Sequence, residues 1–506
     1  MTHQPDFQAF AEAYESGRSQ VVWRVLVADL ETPVSAFLKL ASGQPNAFLL
    51  ESVEGGAVRG RYSILGLKPD LIWKCVGDDA WINRNARSKT GSFQPCPVAA
   101  GSGALDSLRA LVAECGIETP AHLPPMSAGL IGYMSYDMVR LAERLPDTNP
   151  DPIKVPDGIF MRPTIMAVFD NVNGTLTAVA PVWPRPGMDA QAAWDLAWER
   201  LEHVVESLES PLPHAYVGFP RDEHQPVPVP GVSPEHYCRM VEKAQEYIAA
   251  GDIFQVVLSQ RLAVPFRLPP FSLYRSLRRL NPSPFLFFLD FGEFQLVGSS
   301  PEILVRLRDG KVTIRPIAGT RRRGRNPAED EELAADLLAD PKELAEHLML
   351  LDLGRNDVGR VAAVGSVEVT KKMAVEYYSH VMHIVSNVEG RLRDGCDAMD
   401  ALMAGFPAGT TSGAPKIRAM EIIDELETER RSFYAGAIGY FDGNGNMDTC
   451  IALRTTLVKD GTMYVQAGAG IVADSVPLSE HEECMNKARA LVRAAEDAID
   501  YTLAKQ

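Results

Sequence analysis

At 506 residues the chain is long enough for two or more ordinary domains, or for one large body with a substantial core, which excludes a small binding module. Its 46% hydrophobic and 23% charged residues are those of a globular protein, and a formal net charge of −16 repels nucleic acid and anionic membranes, so an anionic ligand needs a local cationic pocket. The seven cysteines (Cys75, Cys96, Cys115, Cys238, Cys396, Cys450 and Cys484) follow no metal or redox spacing, and neither a signal-like start nor a bilayer-length apolar run is present, so reduced thiols and a cytoplasmic location are expected.

From 21 to about 183, short β-like runs alternate with turns (VVWRVLVADL, NAFLLES, RYSILGL, DLIWKCVG, TIMAVFD, TLTAVAPVW), predicting a strand-rich first half. Residues 188–208 read as a helix. The segment 219–234 then carries five prolines, too many for a helix or an inner strand, and is expected to link an N-terminal region, 20–218, to a C-terminal region, 235–506. Beyond it, SPEHYCRMVEKAQEYIAAGDI has the capping and Gly251 signals of an amphipathic helix, and FQVVLSQRLAV those of a strand. Near the end, FYAGAIGYF, MDTCIALRTTLV and TMYVQAGAGIV, separated by DGNGN and KDG, predict an antiparallel meander. Hairpin-linked strands mixed with helices, without internal repeats, make the expected fold class α+β.

Several segments carry chemistry. PKELAEHLMLLDLGRND at 341–357 is apolar around almost the whole helical wheel and is expected to be buried, so Glu346 needs a compensating cation, either an arginine or a metal. Ser479 and Glu482 form an S-x-x-E capping box that predicts a helix with the stripe Cys484, Ala488, Leu491, Val492 and Ala495, and with Glu483 in its first turn. Two carboxylates from separate helices facing one cavity suit Mg2+, a hard cation that takes oxygen ligands and leaves positions for water and an anionic substrate.

Cys450, Ala452, Arg454 and Thr456 are expected on one face of a strand, with a cation among small neighbours, and the next strand ends in Gly468-Ala469-Gly470, where backbone amides can approach a carboxylate. Singly these are a rim salt bridge and a bulge or sheet crossing; together they point to an anion site. FPAGTTSGAP at 406–415 leads into a helix with Pro415 in its first turn, which suits an anion or plain capping. Arg321, Arg322, Arg323 and Arg325 read as a solvated face. His380 and His383 face opposite ways on a strand, so at most one meets a pocket.

GSSPE at 298–302, PIAGTRRRG at 316–324, EHLMLLDLGRND at 346–357, HVMH at 380–383 and GTTSGAPK at 409–416, in this order, make the chain resemble the chorismate-utilising enzymes and, within them, the large subunits of anthranilate synthase. The resemblance covers nearly the whole chain. It implies two β-sheets flanked by helices, with the N-terminal region packed on a catalytic C-terminal region, and conversion of chorismate and ammonia to anthranilate and pyruvate, the first step of tryptophan synthesis. It also implies Glu346 and Glu483 as Mg2+ ligands and Glu302 as general acid for the departing 4-hydroxyl. Tyr434, Arg454, Gly468, Ala469 and Gly470 correspond to the pocket for the enolpyruvyl carboxylate, Gly319, Thr320 and Lys487 to further substrate contacts, and His383 with Thr410 to the pyruvate-releasing step.

Ala318 stands where aminodeoxychorismate synthases typically carry a nucleophilic lysine, and Gln255 where isochorismate and salicylate synthases place a lysine base, so the resemblance favours ammonia as nucleophile. LLES at 49–52, GRYS at 60–63 and NPSPFLFF at 281–288 resemble the tryptophan-inhibitor motif, which places Ser52, Pro284, Phe285 and Leu286 at that site; many relatives have Pro-Tyr-Met at 284–286. No cysteine lies in the Gly-rich nucleophile motif of a glutaminase, so ammonia is expected from a separate glutaminase subunit in a hetero-oligomer. The alternatives are aminodeoxychorismate synthase and a catalytically silent tryptophan-binding regulator.

Overall fold

Strands covered on both faces direct alternate side chains into two cores. In Phe285–Asp290, Phe287 and Leu289 enter one buried cluster while Leu286 and Phe288 enter another; in Ala47–Glu51, Phe48 joins the first and Leu49 the second. The computed structural model describes residues 6–503 apart from 42, 55–57, 90, 214–225 and 379–380.

Two 12-stranded sheets, antiparallel throughout their pairings, organise these residues. The first runs from Gln20–Val27 through Thr175–Val182, Ile165–Asp170, Tyr62–Leu67, Ala47–Glu51, Phe285–Asp290, Gln295–Ser300, Thr455–Lys459 and Thr462–Ile471 to Gln255–Pro265. The second runs from Ile317–Arg322 through Val381–Arg391, Lys311–Ile314, Ile303–Arg308, Met447–Ile451, Ala437–Asp442, Gly129–Met134 and Gly158–Arg162 to Leu71–Val76 and its neighbours. One core lies between the sheets, where Trp73, Tyr133, Phe160 and Phe441 of the second meet Phe48, Phe287 and Leu457 of the first. The outer face of the first sheet is covered by helices Pro33–Ala41, Ala190–Glu209, Pro270–Leu280 and Pro477–Leu503. This is an α+β architecture. Of the proline-rich segment, 219–225 lies outside the described residues and Val229–Pro230 is a short edge strand on Gln255–Pro265; both large sheets take strands from either side of it. Among the described residues no helix is long and apolar enough to cross a membrane, and all seven cysteines are free thiols.

The helix Pro234–Ala250 follows its sequence signals: the Ser233 hydroxyl accepts from the His236 amide, Pro occupies the first turn, and Gly251 ends it at φ 85°. Other expectations need correction. The meander is two hairpins in different sheets: Ala437–Asp442 pairs with Met447–Ile451 in the second, Thr455–Lys459 with Thr462–Ile471 in the first. The chain crosses between sheets at Arg454, which takes φ 47°, so Cys450, Ala452, Arg454 and Thr456 do not share one strand face. Apolar residues on both sides of the crossing are buried, which conceals the break from periodicity.

The helix Pro341–Val361 is not buried all round. His347, Leu350, Leu351, Gly354, Asp357, Val358 and Val361 face inward, whereas Leu348 is 46% exposed, because only one side packs on the second sheet. The last helix starts at Pro477, so Ser479 lies inside its first turn and Glu483 beyond it; proline at the first helical position displaces the expected capping box. Pro415 is the N-cap of Lys416–Leu426 and not a residue of its first turn. The arginine run is a solvated face, with Arg322 and Arg325 exposed, and it is ion-paired at the surface: Arg321 binds Asp336 at 2.7 Å and Asp340 at 2.8 Å, Arg322 binds Glu329 at 3.0 Å, Arg323 binds Asp330 at 2.6 Å, and Arg325 binds Glu329 at 2.9 Å.

Candidate active site

The sheet crossing brings four of the expected residues to one cavity, while Glu302 and Thr410 line a separate small chamber. Arg454, His383, Glu483 and Lys487 line one cavity of about 660 Å3, with Tyr378 and Glu482. Burial lowers the pKa of the Arg454 guanidinium from its ordinary value, with the Tyr378 hydroxyl opposing that shift, and no carboxylate pairs with Arg454 among the described residues. A buried cation without a counter-ion favours an anionic ligand.

His383 lies on Val381–Arg391, opposite Thr320 in the pairing with Ile317–Arg322. Its Nδ1 is 3.1 Å from the Gly319 carbonyl and 3.0 Å from Thr320 Oγ1. The carbonyl can only accept, so Nδ1 carries the proton and Nε2 is left as the basic nitrogen. Burial lowers the imidazole pKa, the Gly319 carbonyl opposes this, and Arg454 adds to it. Gly319 has φ 76°, a conformation that suits glycine, and directs its carbonyl to that ring. His380 lies outside the described residues.

Glu346 projects from Pro341–Val361. Burial raises its pKa first, Glu343 one turn earlier raises it further, Lys487 and a hydrogen bond from Gln255 oppose, and Glu483 adds repulsion. Lys487 pairs with Glu483 at 2.7 Å and donates to the Gly468 carbonyl at 2.9 Å. Two helices thus present carboxylates to one another around a single lysine. Among the described residues no three His, Cys, Asp or Glu side chains form a closed metal cage. The open, all-oxygen donor set and the mutual repulsion of the acids fit Mg2+, which needs few protein ligands. Glu343 and Glu480, each three residues before an expected ligand, belong to this acidic group. The i, i+3 spacing on two helices is a signal that finds them.

Gly468 and Gly470 are kept small by neighbours. A Cβ at Gly468 would lie 2.9 Å from the Tyr434 hydroxyl, and one at Gly470 would lie 2.4 Å from Gln255 Nε2. Ala469, fully buried, faces the opposite side and packs with Tyr237 and Cys484. The Gly468 amide donates to the Tyr434 hydroxyl. Tyr434 is fixed by Arg431, whose guanidinium lies 5.6 Å from its ring, donates to the Thr411 and Val257 carbonyls at 2.7 Å each, and pairs with Glu427 at 2.5 Å in the interior. Arg431→Met leaves Glu427 buried without its cation and is expected to lower stability by about 3–5 kcal/mol in urea unfolding; a change below about 1 kcal/mol contradicts this role.

Glu302 is 7% exposed, and burial pushes its carboxyl up to about 8, with the Thr410 hydroxyl acting in the opposite direction. It follows the strand Gln295–Ser300, and a chamber of about 30 Å3 separates it from Gly354 and Asp357. A carboxyl that keeps its proton near neutral pH is suited to general-acid work. Tyr378, which sequence reasoning missed, links these groups: its ring meets His383 edge-on at 5.4 Å and it lines the cavity beside Arg454. It sits at a strand end with no motif to mark it.

A second cavity of about 840 Å3 holds none of the residues expected to act on substrate. Ser52, Pro284, Phe285 and Leu286 line it with Tyr62 and Tyr440. Glu51 accepts from the Tyr274 hydroxyl at 2.6 Å and from Arg278 at 2.7 and 2.8 Å, which anchors the strand end that carries Ser52. Pro301 and Tyr378 line both cavities.

The profile of the chorismate binding enzymes matches residues 87–493. The chain is 58% identical over 499 residues to anthranilate synthase component 1 of Cereibacter sphaeroides, covering 97% of each, and 48% identical over 481 residues to that of Pseudomonas aeruginosa, covering 94% of this chain and 95% of the other. Among solved structures, anthranilate synthase component I from Streptococcus pneumoniae superposes with a TM-score of 0.75 at 39% identity, covering 93% of this chain and 99% of that one. The menaquinone-specific isochorismate synthase of Escherichia coli shares the fold, with a TM-score of 0.68 at 20% identity over 97% and 100% of the two chains. With its cavity, its paired carboxylate helices and relatives matching along nearly its whole length, this chain belongs to the chorismate-binding enzymes, on the branch of anthranilate synthase component 1.

Proposed function

We propose that the chain is a cytoplasmic, Mg2+-dependent lyase that converts chorismate and ammonia to anthranilate and pyruvate, with ammonia delivered by a separate glutaminase subunit in a hetero-oligomer. The observation that carries this reading is the cavity shared by His383, Glu483, Lys487 and Arg454, the last without a carboxylate partner among the described residues, with Glu346 coupled to Lys487 and Glu483 from the facing helix.

Glu346 and Glu483 would hold Mg2+ against the ring carboxylate. Bound there, the cation withdraws electrons from the ring through that carboxylate. Arg454 takes the enolpyruvyl carboxylate, the Gly468 to Gly470 strand end acts by seating Tyr434 and Gln255 beside it, and Lys487, Gly319 and Thr320 complete the pocket. Glu302 gives its proton to the 4-hydroxyl as ammonia adds at ring C2. His383, its Nδ1 proton held by Gly319, has Nε2 free to take a ring proton as pyruvate leaves, with Thr410 assigned to the same step. Ala318 offers no amine for covalent attack, and Gln255 donates to Glu346 where a water-activating enzyme needs a base. This reading is tested with ammonium salt and with glutamine as alternative nitrogen sources: anthranilate from ammonium alone supports it, while aminodeoxychorismate accumulating without pyruvate overturns it.

The larger cavity is the proposed tryptophan site, and its two walls shared with the catalytic cavity, Pro301 and Tyr378, support feedback inhibition. Ser52→Leu fills that cavity and is expected to raise the tryptophan concentration for half-inhibition about tenfold or more, by clash and lost hydrogen bonding, with ammonia-dependent kcat unchanged. Unaltered inhibition in this variant places the effector elsewhere.

A further inference from the structure

Arg200 lies on the helix Ala190–Glu209 and is only 6% exposed, yet no carboxylate pairs with it among the described residues. Among the described residues its Nε has no hydrogen-bond partner, and the side chain's one bond is a long one of 3.5 Å from Nη1 to the Pro181 carbonyl. The nearby carboxylate, Asp70, is already held by Arg162 at 2.9 and 3.0 Å and by Arg185 at 2.5 Å. Arg200 instead forms the floor of a cavity of about 240 Å3, separate from both cavities described above, whose wall includes Lys68, Arg87 and His203.

These groups repel one another. Burial and then Arg87 and Arg185 push the Arg200 guanidinium down to about 10; burial and then Arg87 lower Lys68; burial and then Lys68 lower His203. Lys68 has a left-handed backbone, φ 52°, and the Thr164 hydroxyl fixes its carbonyl at 2.7 Å. A non-glycine residue held in that region with its ammonium beside the Arg87 guanidinium, a repulsion that Glu199 offsets only in part, is costly without a ligand.

We infer that this cavity is a binding site for a compact oxyanion, of phosphate or small-carboxylate size, seated on Arg200 and enclosed by Lys68 and Arg87. Size and charge set the class. The volume is below that of ordinary drug-sized pockets, and the exposed Glu199, Glu202 and Glu206 ring the mouth, so they repel an extended polyanion such as a nucleotide or nucleic acid. The planar guanidinium floor favours a ligand with two adjacent oxygens. The site lies just past one end of the strand Tyr62–Leu67, whose opposite end, at Tyr62 and Ile64, lines the larger cavity.

Equilibrium dialysis of the full chain against inorganic phosphate, at ionic strength matched with chloride, tests this, with malonate in a parallel arm to separate phosphate from carboxylate recognition. Saturable binding of one anion per chain is expected, weakened about tenfold or more in the Lys68→Ala, Arg87→Ala double variant by loss of charge-assisted bonds, while anthranilate formation is unaffected. Both substituted positions are at least partly exposed, so folding is retained; Arg200→Gln serves as the deeper probe. Arg454→Gln, which removes the cation of the catalytic cavity, leaves phosphate binding intact. Absence of saturable binding, or binding that survives in the double variant and vanishes in Arg454→Gln, overturns the inference.

Discussion

Glu346→Gln and Glu483→Gln each reduce the Mg2+-dependent turnover of chorismate about a thousandfold, the equivalent of about 4 kcal/mol of lost electrostatic stabilisation. The two substitutions remove charge and keep shape, so folding is retained. In Glu346→Gln the change also relieves a half-buried acid that repels Glu343 and Glu483, and the metal-free variant is therefore at least as stable as the parent. The double variant is hardly worse than either single one, because the two carboxylates act as one metal site. Steady-state rates across an Mg2+ titration, with unfolding midpoints recorded in EDTA, check all three statements. Near-parental activity in either single variant removes that residue from the metal site.

Glu302→Gln lowers kcat by about a hundred- to ten-thousandfold, the range for loss of a positioned general acid. The pH dependence gives its direction. With its carboxyl pushed up to about 8 by burial, parental Glu302 is protonated through neutral pH, and kcat/KM falls as pH rises through about 8. The same group affects stability. In the unfolded chain it titrates near its ordinary value of 4.5, so between there and about 8 the folded state holds the extra proton and stability decreases with rising pH. Glutamine does not titrate, so the variant loses this slope and is relatively more stable than the parent above pH 8. A residual rate in Glu302→Gln that still falls through pH 8 moves the acid to another residue.

Much of this site is legible in the sequence because its parts are local. Glu346 and Glu483 reveal themselves as carboxylates among apolar helical residues, and the Ser233 to Gly251 helix is set by its own caps. Strand alternation reveals the α+β class, since buried strands on hairpin turns leave a period of two. What stays hidden depends on residues far apart in the chain. The crossing at Arg454 leaves no mark, because buried apolar residues continue through it. Leu348 reads as core, and only the position of the helix on the sheet surface exposes it. Gly468 and Gly470 read as an open approach for ligand, but the space belongs to the Tyr434 hydroxyl and the Gln255 amide, from distant segments. Tyr378 and the buried Arg200 carry no motif; their significance lies in what surrounds them.

The most direct test of the central claim is the ratio of pyruvate to anthranilate formed by the purified chain from chorismate and an ammonium salt with Mg2+. One pyruvate per anthranilate, abolished by EDTA, is the predicted result. Consumption of chorismate to an aminated product without pyruvate, or turnover indifferent to EDTA, contradicts it.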